Sequence, residues 1–360
     1  MAERKFTLAR DERVEAVIAA ALPRIAAAVA ELALPGFAGL VLGGGYGRGE
    51  GGATPDGRPY NDLDFFILTP DANILTAMTA TGGLTPWAKT MGSDPTLHAA
   101  KTMESDPISS LSAVSSRFSA ELGVDVDFTL RTAERLKHDE RRLMVQELLR
   151  GHVVLAPENF SVAEWAGLKE YPASEVPADE AARLVMNRGM GLLFAAEKLA
   201  GAEPLSEDDV SFVRRNINKA ILGAGDALLI SRGEYAWTLA ERVSRLGDAE
   251  YARAAEWKAR PSVDAKDLSE LLEAARRSLL SAAVELEAKR GREISRRSVY
   301  EALRFMKRRR SLGRIADFGV KGETRVMRDV VAALANARIG MSREAAAIKP
   351  SLLADWRIFN

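Results

Sequence analysis

The chain of 360 residues contains no cysteine and only three histidines, and these absences exclude several kinds of site. Without cysteine, neither a disulfide nor a thiolate zinc site can form. The histidines are His98, His138 and His152, which are scattered without the spacing of metal ligands. We therefore interpret them as ordinary polar or partly buried residues.

A charge excess of one sign is also absent, because 50 basic and 50 acidic residues cancel. Neutrality argues against a general nucleic-acid or membrane binder. No window is long and apolar enough to cross a bilayer, and the N-terminal sequence MAERKFTLARDER mixes both charge signs, unlike a secretory signal. We therefore expect a soluble cytoplasmic protein. Its length and its 47% apolar content are enough for two or three domains with real cores.

The most informative stretch that is present runs from Leu42 to Leu68 and combines a glycine-rich turn with Asp62 and Asp64. Apolar and β-branched residues at Gly39 to Leu42 and at Leu63 to Ile67 predict a strand, a tight loop and a second strand. Side chains alternate along a strand at about 3.3 Å per residue, so the two aspartates are expected to point the same way.

Two neighbouring carboxylates flanked by bulky apolar residues are costly unless a positive charge offsets them. A hard divalent cation such as Mg²⁺ is the natural partner for such a pair. The preceding Gly43, Gly44 and Gly45 allow the backbone to approach an anion closely and to turn N–H groups toward it, as phosphate-binding nests do. A phosphate loop beside a Mg²⁺ pair describes a nucleoside triphosphate site.

These residues resemble the signature of the DNA polymerase β-like nucleotidyltransferase superfamily, in which a glycine pair is followed by Asp-x-Asp between apolar residues. Gly44-Gly45 matches the first part and Asp62-Leu63-Asp64 the second. The run Gly45 to Glu50, GYGRGE, is similar to bacterial members that modify small molecules or proteins. The spacer of sixteen residues between Gly45 and Asp62 is somewhat longer than usual, and its Gly, Pro and Asp content predicts a hairpin-like excursion.

The resemblance implies a third carboxylate on a following strand. Helical periodicity from Ile108 to Leu122 ends at a glycine, and Val124 to Leu130 then alternates with period two. Asp125 and Asp127 both face away from the apolar side of this strand, so one is the expected third carboxylate and the other is solvent-exposed. We favour Asp127, because a phenylalanine follows it as one follows Asp64.

Beyond about residue 132 the strand signals nearly vanish, apart from Val153 to Leu155, which would close the sheet. The remaining signals are a capping box at Ser206 and Asp209, helix stops at Gly233 and Gly247, a break at Pro261, and a long helix from Asp264 to Arg290 closed by Gly291. The segment from about 70 to 107 is predicted to be irregular. We thus predict an α+β fold: a polymerase β-like domain with a small mixed sheet and flanking helices at 1–158, an α-helical domain at 159–291 and a basic helical C-terminal subdomain at 292–360.

Basic residues of the helical part are candidates for phosphate contact. Arg215 and Lys219 stand one turn apart on the helix that starts at Ser206, and Arg188 lies in the preceding helix. The resemblance implies a cleft between two domains across which they would reach a triphosphate. A solvated basic face is an equally good interpretation.

The C-terminal part is strongly basic, with fourteen Lys or Arg against four Asp or Glu between 289 and 328, including the run Lys307 to Arg310. Such a run can bind RNA phosphates or an acidic partner. Few aromatic residues lie near it for base stacking, so we favour a solvated helix face over specific nucleic-acid binding.

Together these features predict an enzyme that transfers a nucleoside monophosphate from a nucleoside triphosphate to a hydroxyl acceptor and releases pyrophosphate. Two Mg²⁺ ions would be held by Asp62, Asp64 and Asp127, or Asp125 in its place. Gly44, Gly45 and Arg48 would hold the β- and γ-phosphates. The alternative for the arginine is a loop residue paired with Glu50.

Two other functions fit the same signals less well: a non-catalytic nucleotide-binding regulator on this fold, and an RNA-directed nucleotidyltransferase. The complete carboxylate set argues against the first, and the neutral net charge against the second. An aminoglycoside-like sugar, a protein hydroxyl and an RNA end are all open as acceptors.

Overall fold

The computed structural model describes residues 5–70, 107–201, 203–309 and 329–335, and positions 348, 350, 352, 353 and 356; for 107–109 and 290–309 it describes the backbone alone. The irregular segment predicted between 70 and 107, and most of the basic C-terminal part, therefore lie outside the described residues. The chain divides into two compact units. The first comprises Met1–Tyr171 with Lys258–Ser262, and the second comprises Pro172–Trp257 with Val263–Asn360.

The first unit mixes helices and strands. Its helices are α1 (Glu12–Glu31), α2 (Gly44–Gly47), α3 (Pro107–Leu122), α4 (Ala133–His138), α5 (Leu143–Arg150) and α6 (Val162–Ala166), and its strands are β1 (Gly39–Leu42), β2 (Gly52–Ala53), β3 (Pro59–Tyr60), β4 (Leu63–Leu68), β5 (Val126–Arg131) and β6 (Val153–Ala156). The chain is thus an α+β protein with a small mixed sheet, as predicted.

Among the described residues, four strands form the main sheet in the order β5-β4-β1-β6. Strand β1 is antiparallel to both of its neighbours, whereas β4 and β5 are parallel. The prediction that Val153 to Leu155 closes the sheet is confirmed, since β6 pairs with β1. A second pair, β2 with β3, forms a separate antiparallel hairpin between α2 and β4, which confirms the predicted excursion.

Both faces of the main sheet are covered by apolar packing. On one face, Leu63, Phe65 and Ile67 of β4 join a core with α1 and α3. On the other, Phe66 and Leu68 pack with residues of α4, α5 and α6. Because β4 alternates, this second face is also the one to which Asp64 belongs, at the beginning of the strand.

The second unit is helical in its described part. Its helices are α7 (Ala178–Leu199), α8 (Glu207–Arg232), α9 (Leu239–Leu246), α10 (Ala249–Ala259), whose last two residues belong to the first unit, and α11 (Leu268–Arg309). The predicted helix ends are confirmed: Ser206 and Asp209 form a capping box, and Gly233 and Gly247 end α8 and α9 in the left-handed conformation. None of the described helices is long and apolar enough to cross a membrane.

The predicted bounds of the long helix were wrong at both ends. It begins at Leu268, not at Asp264, because the Arg214 side chain donates to the carbonyl oxygens of Asp264 (2.7 Å) and Lys266 (3.2 Å) and holds this segment outside the helix. At the other end α11 continues through Gly291 to Arg309. An interior glycine costs a helix only about 1 kcal/mol, which the good helix formers around it offset.

Candidate functional site

The glycine-rich turn connects β1 to the single helical turn α2 and is bound to the beginning of β4. The N–H of Gly43 donates to the carbonyl oxygen of Asp64 at 2.8 Å. The N–H of Glu50 donates to the carbonyl oxygen of Gly45 at 2.7 Å and closes the turn from its far side. The loop backbone is therefore held against the strand that carries the aspartates.

Of the matched pair Gly44 and Gly45, only the first requires glycine. Its φ of +58° lies in the left-handed region, and a Cβ there would stand 1.9 Å from Oδ2 of Asp64. The carboxylate thus packs directly on the glycine backbone. Gly45 differs, because a Cβ at that position would meet nothing closer than the Glu50 carbonyl oxygen at 3.5 Å, an ordinary contact. The requirement for glycine rests on the first of the two.

The aspartates occupy two neighbouring parallel strands. Asp64 and Asp127 are direct partners in the β4–β5 register, so their side chains start level on the same face of the sheet. Asp62 lies two residues before Asp64 and just outside β4, which begins at Leu63. All three side chains are partly buried.

Asp125 is in a different situation. It precedes β5, which starts at Val126, and it is exposed. Its carbonyl oxygen accepts a hydrogen bond from the N–H of Leu63 at 2.8 Å, so its backbone holds the beginning of β4. The structure therefore brings Asp127 level with Asp64 and leaves Asp125 at the end of the ladder.

A buried tyrosine connects the glycine loop to the β2–β3 hairpin. The hydroxyl of Tyr46 donates to the carbonyl oxygen of Gly52 (2.7 Å) and accepts from the N–H of Tyr60 (2.7 Å). Burial raises the pKa of the Tyr46 phenol, and the nearby charge of Asp62 adds to the shift, so the hydroxyl keeps its proton. The hairpin is thus fixed at Tyr60, two residues before Asp62.

Arg48 lies in a network of charged side chains. Its guanidinium is 3.0 Å from a carboxylate oxygen of Glu147 on α5 and 3.7 Å from one of Glu50. Glu50 is buried and also contacts Nζ of Lys258 at 3.2 Å. The pairing of Arg48 with Glu50, the alternative weighed from the sequence, is therefore present in the structure. That this arginine holds phosphate stays a prediction.

The other predicted phosphate ligands belong to the helical unit. Arg215 and Lys219 are partly buried residues of α8, and the stem of Arg188 on α7 packs over Gly223, where a Cβ would lie 2.4 Å from its Cγ. They are not part of the compact unit that holds the glycine loop and the aspartates. A phosphate contact by any of them stays a prediction.

No group of three or more His, Asp or Glu side chains in the described part of the chain is arranged to hold a metal ion. The fit to a divalent cation rests instead on the strand register, which places Asp64 and Asp127 side by side on adjacent strands. Asp62 lies two residues before Asp64. A cation would have to draw the three carboxylates together. The predicted pair of Mg²⁺ ions therefore stays a prediction.

Glu147 and Lys258 were not predicted from the sequence as partners of the loop. Each lies in an ordinary amphipathic helix, far along the chain from Arg48 and Glu50, and no local pattern marks either as their partner.

Comparison with known proteins adds no assignment, since no family model and no curated protein matches this chain.

Proposed function

We propose that this chain is a Mg²⁺-dependent nucleotidyltransferase. It would move a nucleoside monophosphate from a nucleoside triphosphate to a hydroxyl acceptor. The acceptor oxygen forms a bond to the α-phosphorus while the bond from that phosphorus to the bridging oxygen breaks, and the electron pair leaves with pyrophosphate. The acceptor's proton passes to solvent.

One observation carries the proposal: the loop backbone at Gly44 lies directly against the carboxylate of Asp64. A glycine turn can direct backbone N–H groups at phosphate oxygens, and a carboxylate is suited to a hard cation. A triphosphate bound with its cation needs both groups at one place. The contact also explains why a left-handed glycine is used beside an aspartate.

Asp62, Asp64 and Asp127 are the residues that would hold Mg²⁺. When bound, the cation supplies charge stabilisation at the α-phosphate and lowers the proton affinity of the acceptor hydroxyl. The role of the protein is to keep the carboxylates level, which the parallel pairing of β4 with β5 does at Asp64 and Asp127. The shared face also keeps these carboxylates together at one end of the sheet.

Arg48 would bind the β- or γ-phosphate by charge-assisted hydrogen bonds. Its guanidinium is held by Glu147 and Glu50, so a triphosphate would have to compete with these carboxylates for it. A triphosphate presents several charged oxygens to the guanidinium. We therefore expect phosphate oxygens to replace at least one of these carboxylates at Arg48 when a triphosphate binds.

The proposal is tested by nucleotide binding and by turnover. Thermal shift of the full chain with each nucleoside triphosphate, with and without Mg²⁺, should show stabilisation that requires the metal; at a hundred times the dissociation constant it amounts to about 2.7 kcal/mol. Pyrophosphate release is then followed with an aminoglycoside, a protein mixture or RNA as acceptor. No Mg²⁺-dependent shift with any triphosphate would refute the proposal.

Replacing Asp62 or Asp64 by Asn should abolish Mg²⁺-dependent turnover and leave the circular dichroism spectrum unchanged, because each change removes a cation ligand and relieves repulsion. The double variant should be little worse than either single one, since the residues act as one unit. Retained turnover in both single variants would rule out the mechanism. Triphosphate binding without any turnover would instead support the non-catalytic regulator.

A further inference from the structure

A short segment far along the chain packs on the glycine loop. Residues Lys258–Ser262 follow α10 and belong to the first unit, although the residues on both sides of them belong to the second. Their contact with strand β2, which follows the loop, is close: a Cβ on Gly52 would lie 2.7 Å from the carbonyl oxygen of Lys258 and 3.5 Å from Pro261. These residues therefore cover the beginning of the β2–β3 hairpin, two positions after Glu50.

The side chain of Lys258 acts on the loop through Glu50. Glu50 is only 6% exposed, and its carboxylate lies 3.2 Å from Nζ of Lys258 and 3.7 Å from the guanidinium of Arg48. A buried carboxylate is costly without cations around it. Two cations therefore share this one anion, and each weakens the attraction of the anion for the other.

We propose that Lys258 is a positioning residue for triphosphate binding. It neutralises Glu50 so that Arg48 is available to phosphate. The inference rests on the proposed function and adds to it a residue that lies about 200 positions away from the loop in sequence.

The charges of the network predict effects of opposite sign. Removing the cation at Lys258 leaves Glu50 to hold Arg48 more strongly and adds a net negative charge near the phosphates. Removing the anion at Glu147 releases Arg48 from the carboxylate that lies 3.0 Å from its guanidinium, and it makes the net charge near the phosphates more positive by one. At an effective dielectric constant of about 20, one unit charge about 12 Å from the phosphates changes a dissociation constant by about tenfold.

The experiment measures the dissociation constant of a non-hydrolysable nucleoside triphosphate with Mg²⁺ by isothermal titration, using the full chain. Lys258→Met should weaken binding about tenfold, and Lys258→Arg, which keeps the cation, should restore it to within about threefold of wild type. Glu147→Gln should tighten binding. Binding of Mg²⁺ alone should be similar in all variants, because the aspartates are unchanged.

The gain in Glu147→Gln guards against a purely structural explanation, since misfolding does not tighten binding. Circular dichroism and urea unfolding show whether the Lys258→Met chain folds. If it does not, the triphosphate affinities of Lys258→Arg and Glu147→Gln test the role of Lys258. Suppose that the wild-type chain binds the triphosphate. If Glu147→Gln then binds it no more tightly, or if Lys258→Met binds it as tightly as wild type, the role of Lys258 is overturned and the proposed function is not. A wild-type chain that binds no triphosphate overturns the proposed function and this inference together.

Discussion

Replacement of Gly44 by alanine should damage both the fold and the site, and its cost can be worked out from the geometry. An alanine in the left-handed conformation costs about 1–2 kcal/mol. The added Cβ would overlap Oδ2 of Asp64 at 1.9 Å and must displace the carboxylate, an overpacking cost of about 1–3 kcal/mol. We expect the free energy of unfolding to fall by about 2–5 kcal/mol in total.

Gly45→Ala is the matched control. A Cβ there has no contact under 3.5 Å. The residue lies within the α2 turn without a positive φ, so alanine should be neutral or stabilise the protein by up to about 1 kcal/mol. Urea unfolding followed by circular dichroism measures both variants.

The clash itself is tested by a double-mutant cycle with Asp64→Ala, which removes Oδ2 and Cγ and leaves the Cβ of residue 64 at 3.0 Å. In that background the cost of Gly44→Ala should fall toward the left-handed strain of about 1–2 kcal/mol, because the remaining contact, at 3.0 Å, is tight but no longer an overlap. A Gly44→Ala chain as stable as wild type would refute the reasoning. An equal cost in both backgrounds would show that the carboxylate is not packed on the glycine.

Three further outcomes are expected. Asp127→Asn should abolish Mg²⁺-dependent pyrophosphate release while Asp125→Asn is mild, because only Asp127 is level with Asp64; the reverse ranking would assign the third carboxylate to Asp125. Tyr46→Phe should lower the free energy of unfolding by about 1–3 kcal/mol in urea, since it leaves a backbone donor and acceptor without their partner, and unchanged stability would contradict this. The full chain should bind RNA only weakly at physiological salt; tight binding with a log–log salt slope of about −0.7 per phosphate, lost when the run Lys307 to Arg310 is neutralised, would contradict our interpretation of that run.

Much of the local structure could be predicted because its causes are local. The strands around the glycine turn follow from apolar and β-branched runs, and the β2–β3 hairpin from Gly, Pro and Asp content. The capping box at Ser206 and the stops at Gly233 and Gly247 depend on residues within one helical turn. The error at Gly291 has the same origin, since a single glycine is a weak stop when strong helix formers continue on both sides.

By itself, then, the sequence determined that Asp62 and Asp64 follow a glycine loop, because that depends on a few consecutive residues. Only the tertiary structure decided that Asp127, and not Asp125, stands level with Asp64, since strand register is set by packing between segments more than fifty residues apart. It also decided that Gly44 and not Gly45 must be glycine, because the reason is a carboxylate from another strand. The contacts of Glu50 with Lys258 and of Arg48 with Glu147 were decided in the same way, since ion pairs across such separations depend on where the folded chain brings charges together.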